Sequence, residues 1–255
     1  MVVIIKDLLI KFIDEQYIED YLNKGKIFFP LNKHFVDMEN EPNVNKHIAD
    51  SLEGVRYEAF DPKEVILMIG LEGCKDEDMQ AFKYKRAALK EKNEALLAIP
   101  IACFVLISES DYIENPDGTF NISEKVIKEL EGISNDRPFV ISFADSFLEK
   151  VNYHAIKNGI PLKHGPINYY DEKTDENLTR SEFELNPVIA LMHKQQKYSD
   201  QREYRIIYNE VSENPKGIEI GDINEFSIKF NSLSELEQIR LKVVPLEDLP
   251  YDNHQ

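Results

Sequence analysis

His193-Lys194-Gln195-Gln196-Lys197-Tyr198-Ser199-Asp200-Gln201-Arg202-Glu203-Tyr204-Arg205-Ile206-Ile207-Tyr208 is the stretch on which the reading of this chain turns. It joins a cationic, amide-rich entry to a Gln-x-Glu-x-Arg centre and an apolar strand exit. Side chains of a strand alternate, so Glu203, Arg205 and Ile207 share one face while Tyr204, Ile206 and Tyr208 share the other. The carboxylate and the guanidinium then stand about 7 Å apart along the strand. A polar pair at the mouth of a buried strand is where a site would be built. Its bland alternative is an internal salt bridge from Glu203 to Arg205 or Lys194.

Outward from that strand the chain reads as alternating strands and helices. Residues 8–13 predict a first strand. Tyr17, Ile18, Tyr21 and Leu22 are spaced for a helix capped by Asp14 and closed by Gly25, and residues 26–29 resume as a strand. Residues 31–54 read as a long polar loop, a frequent place for function, carrying His34, His47, Asp50 and Glu53. A short strand at 65–71 is followed by a long helix over 77–97, rich in Ala81, Ala87, Ala88, Leu89 and Ala95. Residues 101–107 form an unbroken apolar run, a strand buried on both faces. A helix at 123–130, a strand at 139–143 and a helix capped by Asp145 or Ser146 come next. A strand at 166–170 and an acidic loop at 171–186 precede the opening stretch. Short strands at 217–220, 227–230 and 241–244, with a helix capped by Ser234, complete the pattern. The expectation is one α+β domain over 1–246, with a mixed, mainly antiparallel sheet, flanking helices and a frayed tail at 247–255.

The composition narrows the function. With 42 % hydrophobic and 30 % charged residues, the 255-residue chain has the make-up of a soluble globule. Its net charge of −17 repels phosphate backbones, which argues against broad nucleic-acid binding. That charge serves solubility, or an acidic surface that docks on a basic protein partner. Cys74 and Cys103 lie far apart in apolar surroundings, as in a reduced, cytoplasmic protein. Lys6, Asp7 and Lys11 interrupt the apolar start, and no segment is long enough to span a membrane. His34 and His47 lack the spacing and cysteines of a zinc site, neither cysteine has an evident histidine partner, and no glycine-rich phosphate loop is present.

Two resemblances add to this reading. Gly25-Lys26-Ile27-Phe28-Phe29, Ala49-Asp50-Ser51-Leu52-Glu53-Gly54, Phe139-Val140-Ile141 and Gly165-Pro166-Ile167-Asn168-Tyr169-Tyr170-Asp171 recur in outline elsewhere. Lys194, Tyr198, Gln201, Glu203, Tyr204 and Arg205 form the best-marked block. Together, over residues 10–225, they resemble a broad family of bacterial and phage domains of unknown function, often found near defence or mobile-element genes. The resemblance implies a role in phage–host conflict and brings no established activity. Separately, strand–helix–glycine–strand near the start and Gln-x-Glu before a late strand look like the split-sheet plan of mono-ADP-ribosyltransferases. That similarity implies NAD as cofactor, Glu203 as the catalytic carboxylate, Gln201 as the target-recognition amide and Lys11 at the first-strand position that grips NAD. Lys11 stands where those enzymes carry Arg or His, and Ser142-Phe143-Ala144 replaces their Ser-x-Ser.

The candidate site is therefore Glu203, Gln201 and Lys11 for catalysis, with Arg205, Asp50, Glu53, Lys194 and Tyr198 for binding. A carboxylate at Glu203 would counter the positive charge of an oxocarbenium-like centre. A second enzyme reading takes Glu203-Tyr204-Arg205 with Asp50 or Glu53 as magnesium ligands of a nuclease. Against it stand the missing lysine at the third position and the acidic surface. The non-catalytic reading is an acidic inhibitor that blocks a partner. Oligomeric state is not readable from the sequence.

Overall fold

A computed structural model describes residues 6–38, 52–134, 137–173 and 176–244. The chain opens with β1 (Leu8–Phe12), α1 (Glu15–Lys24), β2 (Lys26–Phe29) and α2 (Asn32–Met38). Two nested hairpins follow: β3 (Val55–Phe60), β4 (Leu67–Ile69), β5 (Gln80–Phe82) and β6 (Ala87–Lys92). Next come β7 (Ile101–Ile107), the small pair β8 (Tyr112–Glu114) and β9 (Phe120–Ile122), then α3 (Glu124–Ser134). β10 (Phe139–Phe143) runs straight into α4 (Ala144–Asn158), followed by β11 (Leu162–Pro166) and β12 (Asn168–Tyr170). The last third holds α5 (Arg180–Leu185), β13 (His193–Gln195), β14 (Glu203–Tyr208), β15 (Lys216–Glu219), β16 (Ser227–Phe230) and α6 (Leu233–Leu236).

Six of these strands form the central sheet in the order β11-β14-β7-β1-β10-β16, every neighbouring pair antiparallel. A short parallel pair, β12 with β13, makes the whole mixed. The fold class is thus α+β with a mainly antiparallel sheet and helices, as expected. Strand alternation builds two cores from one sheet. Leu9, Phe104, Val140, Tyr204 and Ile206 face α1 and α4, where they meet Tyr21, Phe147 and Val151. Leu8, Ile10, Val105, Phe139 and Ile141 face α3 and α6. Ile207 points away from Tyr204 and Ile206 into a third cluster with Ile101, Phe183 and Leu191. The face assignment read from 203–208 holds.

Several local expectations are corrected. Residues 77–97 are not a helix: β5, β6 and two 3-10 turns occupy them, because β6 pairs along its length with β3. The 31–54 loop contains α2, and 171–186 contains α5, begun by a reciprocal Thr179–Glu182 capping box. Neither Asp145 nor Ser146 caps α4, since Phe143 holds that position directly out of β10. Leu241 makes one bridge to Phe120 in place of a strand at 241–244, and Ser232 rather than Ser234 precedes α6. The tail at 247–255 lies outside the described residues.

Gly25 shows how tightly the first unit is drawn together. It closes α1 with φ 58°, and a Cβ there would meet the Gly221 carbonyl and the Ile220 side chain, each at 2.4 Å. Gly159 closes α4 with φ 63° and open space around it. Gly159→Ala is therefore expected to lower stability by about 1 kcal/mol, the left-handed penalty alone. Gly25→Ala adds a clash and is expected to lower it by about 2–3 kcal/mol. Chemical denaturation of both variants checks this; equal losses would mean the 24–25 and 220–221 segments do not touch in solution.

Candidate functional site

The site begins with an interrupted pairing. β1 pairs with β10 along its whole length, as far as Phe12 opposite Phe139, but with β7 only over Leu8–Ile10. Beyond Ile10 and Val105 the two central strands part. On the far side β7 is met instead by the end of β2, where the Ile101 amide donates to the Pro30 carbonyl at 2.9 Å. The parting forms the floor of a cleft of about 700 Å³. Its walls are aromatic and basic: Tyr17, Phe28, Phe35 and Phe104 stand with Lys11, Lys26, His34 and Arg137. Asp20 and Asp14 also line it, with Lys26 at 3.2 Å from Asp20 and Arg137 at 3.1 Å from Asp14.

Lys11 bridges the parting. Its Nζ donates to the Cys103 carbonyl at 2.8 Å and lies 4.9 Å from the centre of the Phe104 ring. Burial pulls its pKa below the usual lysine value.

Behind the floor, four buried charges close on one another. Arg205 grips Glu203 bidentately, Nε to Oε1 at 2.6 Å and Nη2 to Oε2 at 3.0 Å, and also meets Glu53. Lys194 lies 3.1 Å from Glu203 and 3.6 Å from Glu53, and its ammonium donates to the Gln201 amide oxygen at 2.8 Å. None of the four side chains is more than 8 % exposed, and two carboxylates face two cations. The Tyr198 ring stands 5.0 Å from the Lys194 nitrogen. Burial alone would raise the Glu203 pKa, but the charges of Arg205 and then Lys194 outweigh it and hold the carboxyl well below its usual range. Burial pushes the pKa of the Cys103 thiol up, and the charge of Glu203 adds to this. The Glu203 oxygens are thus already engaged by two cations. Such a carboxylate stays ionised, and its charge is spent inside the protein.

Of the sequence-predicted residues, Lys11, Glu53, Lys194, Gln201, Glu203 and Arg205 all line this one cleft. Tyr198 is buried behind Lys194. Asp50 lies outside the described residues. Ser142 is not among the cleft residues: it is buried, 2.7 Å from the Ser227 hydroxyl, while Phe143 is exposed. The brace that the transferase resemblance places at this motif is therefore not at the cleft. Glu53 and Glu203 do approach each other, but the charges between them are those of Arg205 and Lys194, and among the described residues no group of acids, histidines or cysteines is placed to hold a metal.

Arg202 is a residue that sequence reasoning missed. It adopts the left-handed conformation, φ 49°, the one non-glycine described with positive φ. Three contacts hold it there: its Nη atoms donate to both Asp111 oxygens at 2.6 Å, and its Nε to Glu129 at 2.6 Å. Tyr169 was also missed as a site residue; its hydroxyl accepts the Glu203 amide at 2.9 Å, and burial pushes its pKa up to about 12.

Compared with protein-family models, with curated proteins and with solved structures, the chain matches none of them. Among the described residues no helix is long and apolar enough to cross a membrane.

Proposed function

We propose that this chain binds a nucleotide-like ligand, NAD first among the candidates, in the cleft where β1 and β7 part, and that it performs no transfer from it. It is on this reading a degenerate relative of the ADP-ribosyltransferase plan, acting in phage–host conflict. One observation carries the proposal: Lys11, Gln201 and Glu203, from opposite ends of the sequence, line a single aromatic-walled cleft whose carboxylate is already engaged by Arg205 and Lys194. Aromatic faces suit a stacked base and a desolvated ammonium suits a phosphate. A carboxylate compensated by two cations has little field left for an oxocarbenium-like centre.

Titration with labelled NAD tests it. The wild type is expected to bind without releasing nicotinamide. Lys11→Met should weaken binding about tenfold or more, the worth of one charge-assisted hydrogen bond. Tyr17→Ala, at an exposed wall position, should weaken it by a similar factor through lost stacking. Absence of binding by NAD and by simple nucleotides at about millimolar concentration overturns the reading, since that is a weak limit even for a small ligand. Glu203-dependent release of nicotinamide overturns the inert half of it. The competing reading, an acidic surface that blocks a basic partner, is favoured by a complex that Lys11→Met leaves intact and salt dissociates.

A further inference from the structure

Residues 61–90 form an arm in which no residue is buried. Eight large apolar side chains are exposed within it: Val65, Ile66, Leu67, Met68, Ile69, Leu71, Phe82 and Leu89. Elsewhere along the described chain no two such residues are sequence neighbours, and Tyr153 with Ile156 on α4 is the nearest approach to a cluster. Leu67 stands opposite Phe82 with Ile69 on the same face, and an exposed apolar surface of this kind marks a contact with another macromolecule. At its tip β4 and β5 pair only with each other, so each presents an unpaired edge. Unpaired edges are templates for another strand.

The charge on the arm says which partner fits. Residues 61–90 carry six acids and six bases, so the whole net charge of −17 lies on the rest of the chain. Two copies of so acidic a molecule repel one another over most of their surfaces, and least at this neutral arm. The arm is also segregated: Asp76, Glu77 and Asp78 precede β5, and Lys83, Lys85 and Arg86 follow it. Antiparallel pairing of β5 with the same strand of a second copy, about Ala81, brings Gln80 opposite Phe82 and leaves the segments that flank the strand side by side. The acidic 3-10 turn Asp76–Asp78 before β5 then lies at the end of the ladder where the Lys83, Lys85 and Arg86 of the second copy leave its strand, twice over by symmetry. Glu77 already lies 3.4 Å from the exposed Lys75, a contact that solvent makes weak enough to exchange.

We propose that the arm is a homodimerisation element, two copies joining isologously along β5 about Ala81 and covering the apolar face of Leu67, Ile69 and Phe82. The register is self-complementary, as a twofold interface requires. The inference goes beyond ligand binding and is independent of it.

Sedimentation equilibrium or light scattering at tens of micromolar tests it by charge exchange at exposed positions that no core depends on. The wild type is expected at twice the mass of the chain. Asp76→Arg with Glu77→Lys places like charges across the twofold, as does Lys85→Glu with Arg86→Asp; each pair should weaken the dimer about tenfold or more. All four substitutions together restore opposite charges and should restore the dimer. A wild type that is monomeric at these concentrations overturns the proposal. So does a dimer that either charge reversal leaves intact, or one the fourfold variant fails to recover.

Discussion

Arg205→Met is expected to lower the unfolding free energy by about 3–5 kcal/mol, a large fraction of what an ordinary domain possesses. The guanidinium is the hub of the buried charges, meeting both Glu203 and Glu53. Without it two buried carboxylates share the single ammonium of Lys194, and at least one must take up a proton or water. The chain has no tryptophan, so far-UV circular dichroism in urea is the suitable readout. Glu203→Gln in the Arg205→Met background removes one of the stranded charges and should recover part of the loss, a coupling that independent sites would not show. Acid gives a second readout. A carboxylate whose folded pKa is depressed binds fewer protons folded than unfolded. Its contribution is thus present above the unfolded value of about 4.3 and lost as pH falls toward the folded one. The wild type should therefore lose stability steadily below about pH 4.3, and Arg205→Met should show a shallower acid slope. A loss under about 1 kcal/mol would mean that these charges are solvated rather than locked.

Phe147→Ala is expected to cost a similar 3–5 kcal/mol and, in addition, to impair the cleft. Phe147 is fully buried on α4, 6.3 Å from the Tyr21 ring and 5.4 Å from that of Phe104 in an edge-on arrangement. Phe104 in turn supports the Lys11 ammonium, and both Tyr21 and Phe104 line the cleft. A void beneath them loosens the floor on which Lys11 rests. Leu130→Ala supplies the contrast, because Leu130 is equally buried but belongs to the α3 side and is not among the cleft residues. It should lose about 2–5 kcal/mol while leaving ligand affinity of the folded protein unchanged. Ligand binding that survives Phe147→Ala at a temperature where the protein is folded would separate the cleft from this core.

Much of this was legible because it is written in local alternation. Glu203–Tyr208 declares its two faces residue by residue, and the structure places Ile206 and Ile207 in different cores. Gly25 was readable as a left-handed helix end. The stretch 77–97 misled because its alanines and leucines favour a helix, whereas β6 is fixed by β3 from thirty-odd residues upstream. Arg56 opposite Glu91 meets it at 2.6 Å, and Tyr57 opposite Lys90 lies 5.8 Å from its ammonium. No window along the sequence contains that partner. The Thr179-x-x-Glu182 cap, by contrast, was present to be read. The cleft was illegible for a third reason: it exists because β1–β7 pairing stops at Ile10 and Val105, and register is a property of two strands at once. Glu203 and Arg205 were expected to share a face, but the closure of Glu53 and Lys194 around them depends on segments about 150 and 10 residues away.

Arg202 carries a consequence for the whole sheet. A strand between two dissimilar cores has a definite penalty for slipping, because a shift of one residue exchanges its faces. For β14 such a slip would carry Glu203 and Arg205 into the apolar cluster of Phe104 and Phe147, and Tyr204 and Ile206 into the company of Glu53 and Lys194. Asp111 and Glu129 hold Arg202 one residue before the strand begins, in a conformation an extended chain does not adopt. The clamp acts as an index mark: it counts residues into the sheet, so that the charged side of β14 always arrives on the charged side of the molecule.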